Sequence, residues 1–353
     1  AYLKNLYLKT PQTLLKNKVI VKYNSIENIS KDFENLVVEA DLNQSKIAFQ
    51  DILIVAPQLA NTNPFKSNPT AVLYVNTNLS GKLKDLDIPY FQISGIGNTK
   101  VDVSGKITGL PDMKKAFFDL DIKKLESTAK DVMSFVPPKT IPSNIQLPAN
   151  FKANGKFKGS MNNFQTKLAL NSSYGNAKVD ALFDQRVKNK ENYDAKVAFA
   201  DFDLGKLIKN DSIGKITLNA KVKGTGLDPK TANAQLEAIV NKATYNKYTY
   251  KDLTLKGKIE NGLYDLKSDM NDPNLTFKLL ANGGFKDKYP AVKLDLNLDI
   301  ADLEKLNLHA GPMKLRGNVD ADITNSNPDF LNGNVFLSNV QILQDKEPII
   351  LDS

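Results

Sequence analysis

Apolar and polar residues alternate along most of the chain. Val292, Leu294, Leu296, Leu298 and Ile300 are separated by Lys293, Asp295, Asn297 and Asp299. A period of two puts the two sets on opposite faces of an extended strand. Ile216, Leu218, Ala220 and Val222 alternate in the same way with Thr217, Asn219, Lys221 and Lys223, and Met313, Leu315, Gly317, Val319, Ala321 and Ile323 with the polar residues between them. Phe151, Ala153, Gly155 and Phe157 repeat the pattern against lysines and an asparagine, as do Val101, Val103 and Ile107, and Leu253, Leu255 and Ile259. Turn signals such as Asn261-Gly262, Asn271-Asp272-Pro273-Asn274 and Asn282-Gly283-Gly284 separate the runs at short intervals. Short connections join antiparallel neighbours, so the pattern predicts an all-β chain of about twenty strands in an antiparallel meander.

Helical signal is sparse. Leu125, Ala129, Val132, Met133 and Val136 form one stripe, and Pro137-Pro138 ends it, which predicts a helix over Ile122–Val136. Shorter helical turns are expected at Asp203–Lys209 and Asp302–Leu308. These segments belong to an internal repeat: Asp121-Ile122-Lys123-Lys124-Leu125 aligns with Asp203-Leu204-Gly205-Lys206-Leu207 and with Asp299-Ile300-Ala301-Asp302-Leu303. In each, a strand ends in Asp, whose carboxylate suits a helix N-cap, and a glycine-marked strand follows. The repeat divides one continuous chain, 1–353, into approximate blocks 1–125, 126–207, 208–303 and 304–353.

Twenty strands of about eight residues present an apolar face on the order of 2,300 Å², whereas a monomer seldom exposes an apolar patch above about 600 Å². The helical residues are too few to cover it. Two solutions follow from the pattern: two stacked sheets with a dry core, or a sheet curled along its length into a gutter that holds an apolar ligand. The aromatic residues at inward positions, Phe118, Phe157 and Phe277, fit either one.

Composition narrows the chemistry. The 353 residues include no Cys, no Trp and one histidine, His309. Disulfides, Cys-ligated metals and thiol nucleophiles are therefore excluded. His309 lies in Leu308-His309-Ala310-Gly311-Pro312, a turn without a companion ligand. The net charge of +8 invites a nucleic-acid reading, but of the 47 basic residues only Arg186 and Arg316 are arginines. The lysines are dispersed on the polar side of the strands, and neither guanidinium forks nor a basic groove interleaved with aromatics is present; no nucleic-acid partner is expected. The acid pairs Asp119/Asp121, Asp201/Asp203 and Asp320/Asp322 sit two apart on a polar strand face, so they are expected to be solvated rather than catalytic or metal-binding. Gly95-Ile96-Gly97 lacks a third glycine, and the strand expected from Lys100 stands where a dinucleotide site needs a helix, so it is read as a turn. No run of 18 apolar residues occurs. Leu6-Tyr7-Leu8-Lys9 and Pro348-Ile349-Ile350-Leu351 resemble strands broken at an edge, so an anchoring segment outside the chain is expected.

The threefold strand, Asp and Leu unit, its glycine-marked following strand and the proline-rich segment Phe135-Val136-Pro137-Pro138-Lys139-Thr140-Ile141-Pro142 resemble the AsmA-like superfamily. The likeness is to its TamB-type envelope proteins in the form found in Bacteroidetes. It extends from about Asn35 to Asn339, including Val38-Glu39-Ala40-Asp41-Leu42 and Ile52-Leu53-Ile54-Val55-Ala56-Pro57. The motifs are structural and carry no catalytic signature. The resemblance implies an elongated meander curled into a U-shaped, taco-like groove with an apolar interior, conducting phospholipid between inner and outer membrane. It also implies a periplasmic location, an inner-membrane anchor and an outer-membrane β-barrel partner engaged through regions outside this chain. No enzymatic activity, cofactor or metal is implied. With the alternation, it assigns the groove lining to Val101, Val103, Ile107, Phe118, Leu120, Phe151, Phe157, Ile216, Leu218, Val222, Leu253, Leu255, Ile259, Phe277, Leu294, Leu296, Leu298, Leu315 and Val319. The alternatives are an assembly chaperone whose open strand edges pair with client strands, and a surface adhesin with a dry sandwich core.

Overall fold

A computed structural model describes residues 2–23, 32–55, 57–136, 141–344 and 347–351. The protein is all-β and divides into two compact units, Ala1–Ser173 and Tyr174–Ser353. Unit 1 contains β1 (Tyr2–Lys9), β2 (Leu14–Lys22), β3 (Val37–Ala48), β4 (Val72–Lys82), β5 (Asp85–Ile96), β6 (Thr99–Thr108), β7 (Phe117–Thr128), β8 (Asn150–Ser160) and β9 (Asn163–Ser172). Its two helices are α1 (Phe49–Val55) and α2 (Ala129–Phe135). Unit 2 contains β10 (Gly175–Asp184), β11 (Asn192–Asp203), β12 (Ile213–Thr225), β13 (Asn233–Tyr245), β14 (Tyr248–Glu260), β15 (Leu263–Asp272) and β16 (Leu275–Gly284). It continues with β17 (Val292–Asp302), β18 (Met313–Asn327), β19 (Phe330–Gln344) and β20 (Glu347–Leu351), and its helix is α3 (Leu204–Ile208). Within each unit every strand pairs antiparallel with its neighbour in the chain, as short turns require. The meander expected from the alternation is thus present as an open sheet. The expected lengthwise curl into a groove is not shown by this pairing.

Four strands share a device in their C-terminal halves. In β3, β7, β11 and β17 two residues face one on the following strand: 43–44 opposite Asn76, 123–124 opposite Asn154, 200–201 opposite Thr217, and 299–300 opposite Arg316. Strands β5 and β12 carry the same kind of bulge nearer their starts, 89–90 opposite Ser104 and 214–215 opposite Thr244. Such bulges bend a strand and increase its twist. Where the second bulge residue has positive φ, its amide finds a side-chain acceptor on the facing residue. Gln44 N donates to Asn76 Oδ1 at 2.6 Å and Asp201 N to Thr217 Oγ1 at 3.0 Å. Soon after the bulge each of the four strands stops in a helix or turn. Thr128 Oγ1 accepts from Asp131 N at 3.1 Å, Asp203 Oδ1 from Lys206 N at 3.1 Å, and Asp302 Oδ1 from Lys305 N at 3.3 Å. Each side chain satisfies an amide that the first turn leaves free.

This geometry corrects the reading of the repeat. Asp121 and Asp299 are not caps: Asp121 pairs with Ser104 and Lys156 in mid-strand, and Asp299 lies in the β17 bulge. The cap positions are Thr128, Asp203 and Asp302, and β3 with α1 is a further copy of the unit. The predicted helix Ile122–Val136 begins only at Ala129. Its first half is strand, because Leu125 pairs with both Val101 and Ala153 and Glu126 bridges Lys124 and Lys152; pairing on both sides overrides the helical spacing of the apolar residues. The proline segment from Pro137 to Thr140 lies outside the described residues. Asp302–Leu308 forms turns, with Leu306 N donating to Asp302 O at 3.0 Å, rather than a helix. Of the pair Asp201/Asp203, Asp201 is exposed as expected, whereas Asp203 is largely covered and caps α3.

The connections after the capped strands pack against one end of their own sheet. Phe49 opens α1 and stacks on Phe65 with centroids 4.4 Å apart. Thr13 Oγ1 accepts from Ala48 N at 2.9 Å, and Thr10 Oγ1 donates to Asp51 Oδ2 at 2.7 Å. In α2 the buried Asp131 accepts from Asn98 N at 2.9 Å, across a turn where Gly97 has φ +53° and a Cβ would collide with that carboxylate. In unit 2, Leu306 is fully buried, Asp302 N donates to Asn274 O at 2.8 Å, and Asn307 Nδ2 donates to Asn246 O at 3.0 Å. The segment after β17 is thereby tied to the β13–β14 and β15–β16 turns. Buried Asp272 closes the second of these turns, accepting from Lys251 N, Asn274 N and the Tyr248 hydroxyl.

Candidate functional site: the apolar face

Directly opposed residues of paired strands lie on one face of a sheet, so the register decides which predicted lining residues meet. In unit 1, Val101 faces Leu125, Val103 faces Ile122, and Ile107 faces Phe118. Leu120 then faces Phe157, and Phe118 faces Gly159. Phe151 lies on the same side of β8. Phe157 lies between Phe118 and Phe164, with centroids 6.3 and 5.3 Å away. In unit 2 one row runs Leu218, Val240, Leu253, Met270, Phe277, Leu298 and Gly317, each opposed to the next. A second row runs Ala220, Ala238, Leu255, Ser268, Leu279, Leu296 and Val319. Ile216 faces Phe202, Val222 faces Leu236, Ile259 faces Tyr264, Leu294 faces Ala321, and Leu315 faces Ala301. All nineteen positions therefore fall on the apolar face of their own unit's sheet.

None of the nineteen is fully buried; each is half-exposed. That is the exposure of residues flanked by neighbours within a sheet. A dry sandwich core would instead hide most of them, and among the described residues of each unit no second sheet does so.

Alternation missed part of this face. Leu42, Val75, Leu86 and Ile88 of unit 1 are buried apolar residues, and Phe91 and Ile93 continue the surface through pairing with Val103 and Val101. In β5 the pairing shifts between Ile88 and Phe91, around Pro89 and Tyr90. Inward positions are even-numbered before the shift and odd-numbered after it, so a period-two count fails across it. The signal was Pro89, which cannot donate to the ladder and marks a bulge.

Glycines interrupt the same face. Gly105 (φ +141°) and Gly155 (φ +142°) sit in mid-strand, where a Cβ would lie 1.9 Å from the carbonyl oxygens of Asp119 and Lys167 respectively. Only glycine permits so close an approach, and it leaves room on the apolar side between Ile88 and Leu120, and between Ile122 and Leu168.

The opposite face is polar. Lys158 pairs with Asp119 at 2.7 Å, Lys106 with Asp85 at 2.8 Å, and Lys293 with Asp322 at 2.9 Å. Hydrogen bonds from Lys152 and then Lys124 hold the Glu126 carboxyl below its ordinary range. His309 lies in an exposed turn and receives Gly311 N at Nδ1. Among the described residues no three metal-ligating side chains converge, and no helix is long and apolar enough to cross a membrane. Comparison with family models, curated proteins and solved structures finds no match to this chain.

Proposed function

We propose that the chain is a segment of a periplasmic, bridge-like lipid transfer protein that conducts phospholipid between inner and outer membrane along its apolar face. The observation that carries this reading is the cross-strand row from Leu218 to Gly317, seven strands long in unit 2 and without a polar side chain, in which all residues but Val240 and Met270 stay partly exposed. Acyl chains laid across such rows gain about 0.8 kcal/mol for each methylene buried. Neighbouring rows are chemically alike, so a chain can slide from one to the next with little change in energy. Bulges and mid-strand glycines let a sheet bend; on this reading the bend is towards the apolar side, which becomes the inside of a groove. The process is passive in this segment: no residue makes or breaks a bond, and no cofactor takes part. The membrane anchor and an outer-membrane β-barrel partner belong to regions outside this chain.

A second reading, an assembly chaperone that pairs with client strands, is favoured by β19. β20 pairs only with Val340–Gln344, and Phe330, Leu331, Val335 and Phe336 are exposed along the remainder. Photo-crosslinkers at Leu218, Leu255 or Leu296 test the first reading. They are expected to capture phospholipid, while those at Asn219, Thr254 or Asn297 on the polar face are not. Equal capture from both sets would defeat it, and capture of client protein along Phe330–Asn339 without lipid would favour the second.

A further inference from the structure

A depression of about 700 Å³ lies on the polar face of unit 2. Its walls are two cross-strand rows. One is Lys196, Lys221, Glu237, Lys256, Lys267 and Leu280; the other is Asp194, Lys223, Gln235, Lys258, Asp265 and Asn282. The strand residues between the rows, such as Val222 and Gly257, form the floor.

Like charges are opposed twice within this one depression, and Lys242 opposite Lys251 is a further such pair on the same face. In the depression Lys196 is directly opposed to Lys221, and Lys256 to Lys267. Opposed like charges on neighbouring strands cost stability. The lining holds six lysines against three acids, a balance of +3. Two of those acids are engaged locally, Asp194 with Lys223 at 3.4 Å and Glu237 with Lys256 at 3.8 Å. Lys258 pairs with Glu260 at 2.6 Å, and Asp180 faces Lys196 from β10. Lys196, Lys221 and Lys267 make no ion pair among the described residues. The two lysine pairs are centred three strand steps apart, about 14 Å.

We propose that this depression binds a ligand bearing at least two phosphate groups, one at Lys196 and Lys221 and another at Lys256 and Lys267. A phosphate between two ammonium groups turns the repulsion of each pair into two charge-assisted hydrogen bonds. The exposed Leu280 and the lysine stems give apolar contact to whatever links the phosphates. The site lies on the face opposite the proposed lipid track and does not depend on it.

The test measures binding of short-chain polyphosphate, and of phosphatidylglycerol against phosphatidylcholine vesicles, to the full chain. Lys196→Gln with Lys267→Gln should weaken polyphosphate binding on the order of tenfold. Lys178→Gln with Lys278→Gln, on the same face outside the depression, removes the same charge and should leave binding nearly unchanged. Loss of phosphatidylglycerol binding through the same two lysines would identify lipid headgroups as the phosphate source, and binding of polyphosphate alone a soluble one. Equal weakening by both double variants, or no polyphosphate binding at all, would overturn the proposal.

Discussion

The ends of the strands and their middles are built to different rules. The largest side chains hidden to within 2% of their surface are Phe49, Leu306, Asp272 and Ser45. All four lie at a strand end, in the connection just after one, or beside a bulge. In the middles, long apolar rows are left partly exposed, although Val75, Leu86, Ile88, Val240 and Met270 within them are buried. A layered domain does the reverse, burying its strand middles against a second layer and leaving its connections to solvent. The contrast indicates that these units are held together by backbone ladders and by plugs at the ends. It also shows two chemistries in one role: α1 and the segment after β17 plug the end with an apolar side chain, whereas α2 uses the buried carboxylate of Asp131.

The contrast is broken most directly at the plugs. Phe49→Ala and Leu306→Ala should each destabilise their unit by about 3–4 kcal/mol, since each empties a closed site; denaturant titration would measure this, and a cost below about 1 kcal/mol would remove the distinction between ends and middles. Asp131→Ala comes next. It should cost about 2 kcal/mol by leaving the Asn98 amide without an acceptor, and faster hydrogen exchange at Asn98 would report it. Leu255→Ser and Leu296→Ser should cost only about 1 kcal/mol each, because these side chains are half-exposed in the free protein. Their expected effect falls on retained lipid, read by mass spectrometry of purified protein, and a stability loss as large as that of Phe49→Ala would mean that the middles form a closed core.

The smallest effect concerns acid. Glu126 is held below its ordinary value by Lys152 and then Lys124, so its folded carboxyl has a lower pKa than the unfolded one. The resulting stabilisation is fully present above the unfolded value near 4.3 and is lost as the pH falls through the lowered folded value. Glu126→Gln should therefore lower the thermal midpoint of unit 1 slightly at pH 7 and leave it unchanged at acid pH, so that the difference between the two shrinks, as scanning fluorimetry at pH 7 and at acid pH would show.

Much of the face was legible in the sequence because alternation is a direct image of the pleat, and Leu294, Leu296 and Leu298 needed nothing more. The ends were not. The helical stripe from Leu125 to Val136 mixed a strand end with a helix, because positions three and four apart also fit a strand that passes through a bulge. The aligned Asp residues misplaced two of the three caps for the same reason: the bulge inserts residues between the last regular pair and the cap. Asp272 and Leu306 carry no local sign of burial: Asp272 is set by Tyr248 and Lys251 of β14, and the segment holding Leu306 by turns that contribute Asn246 and Asn274. The lysine depression was hidden because each lysine taken alone reads as a solvated strand residue, and only cross-strand register places like charges opposite one another.

The neighbour-only pairing within each unit has a consequence for how the chain acquires its structure. Each strand finds its partner a few residues away, so little loop entropy is spent before contacts form, and hairpins can assemble quickly from many starting points. The same locality weakens all-or-none behaviour, as it does in repeat proteins. A hairpin at the edge of a unit can open while the remainder stays paired, and a short stretch of chain can detach and rejoin without global unfolding.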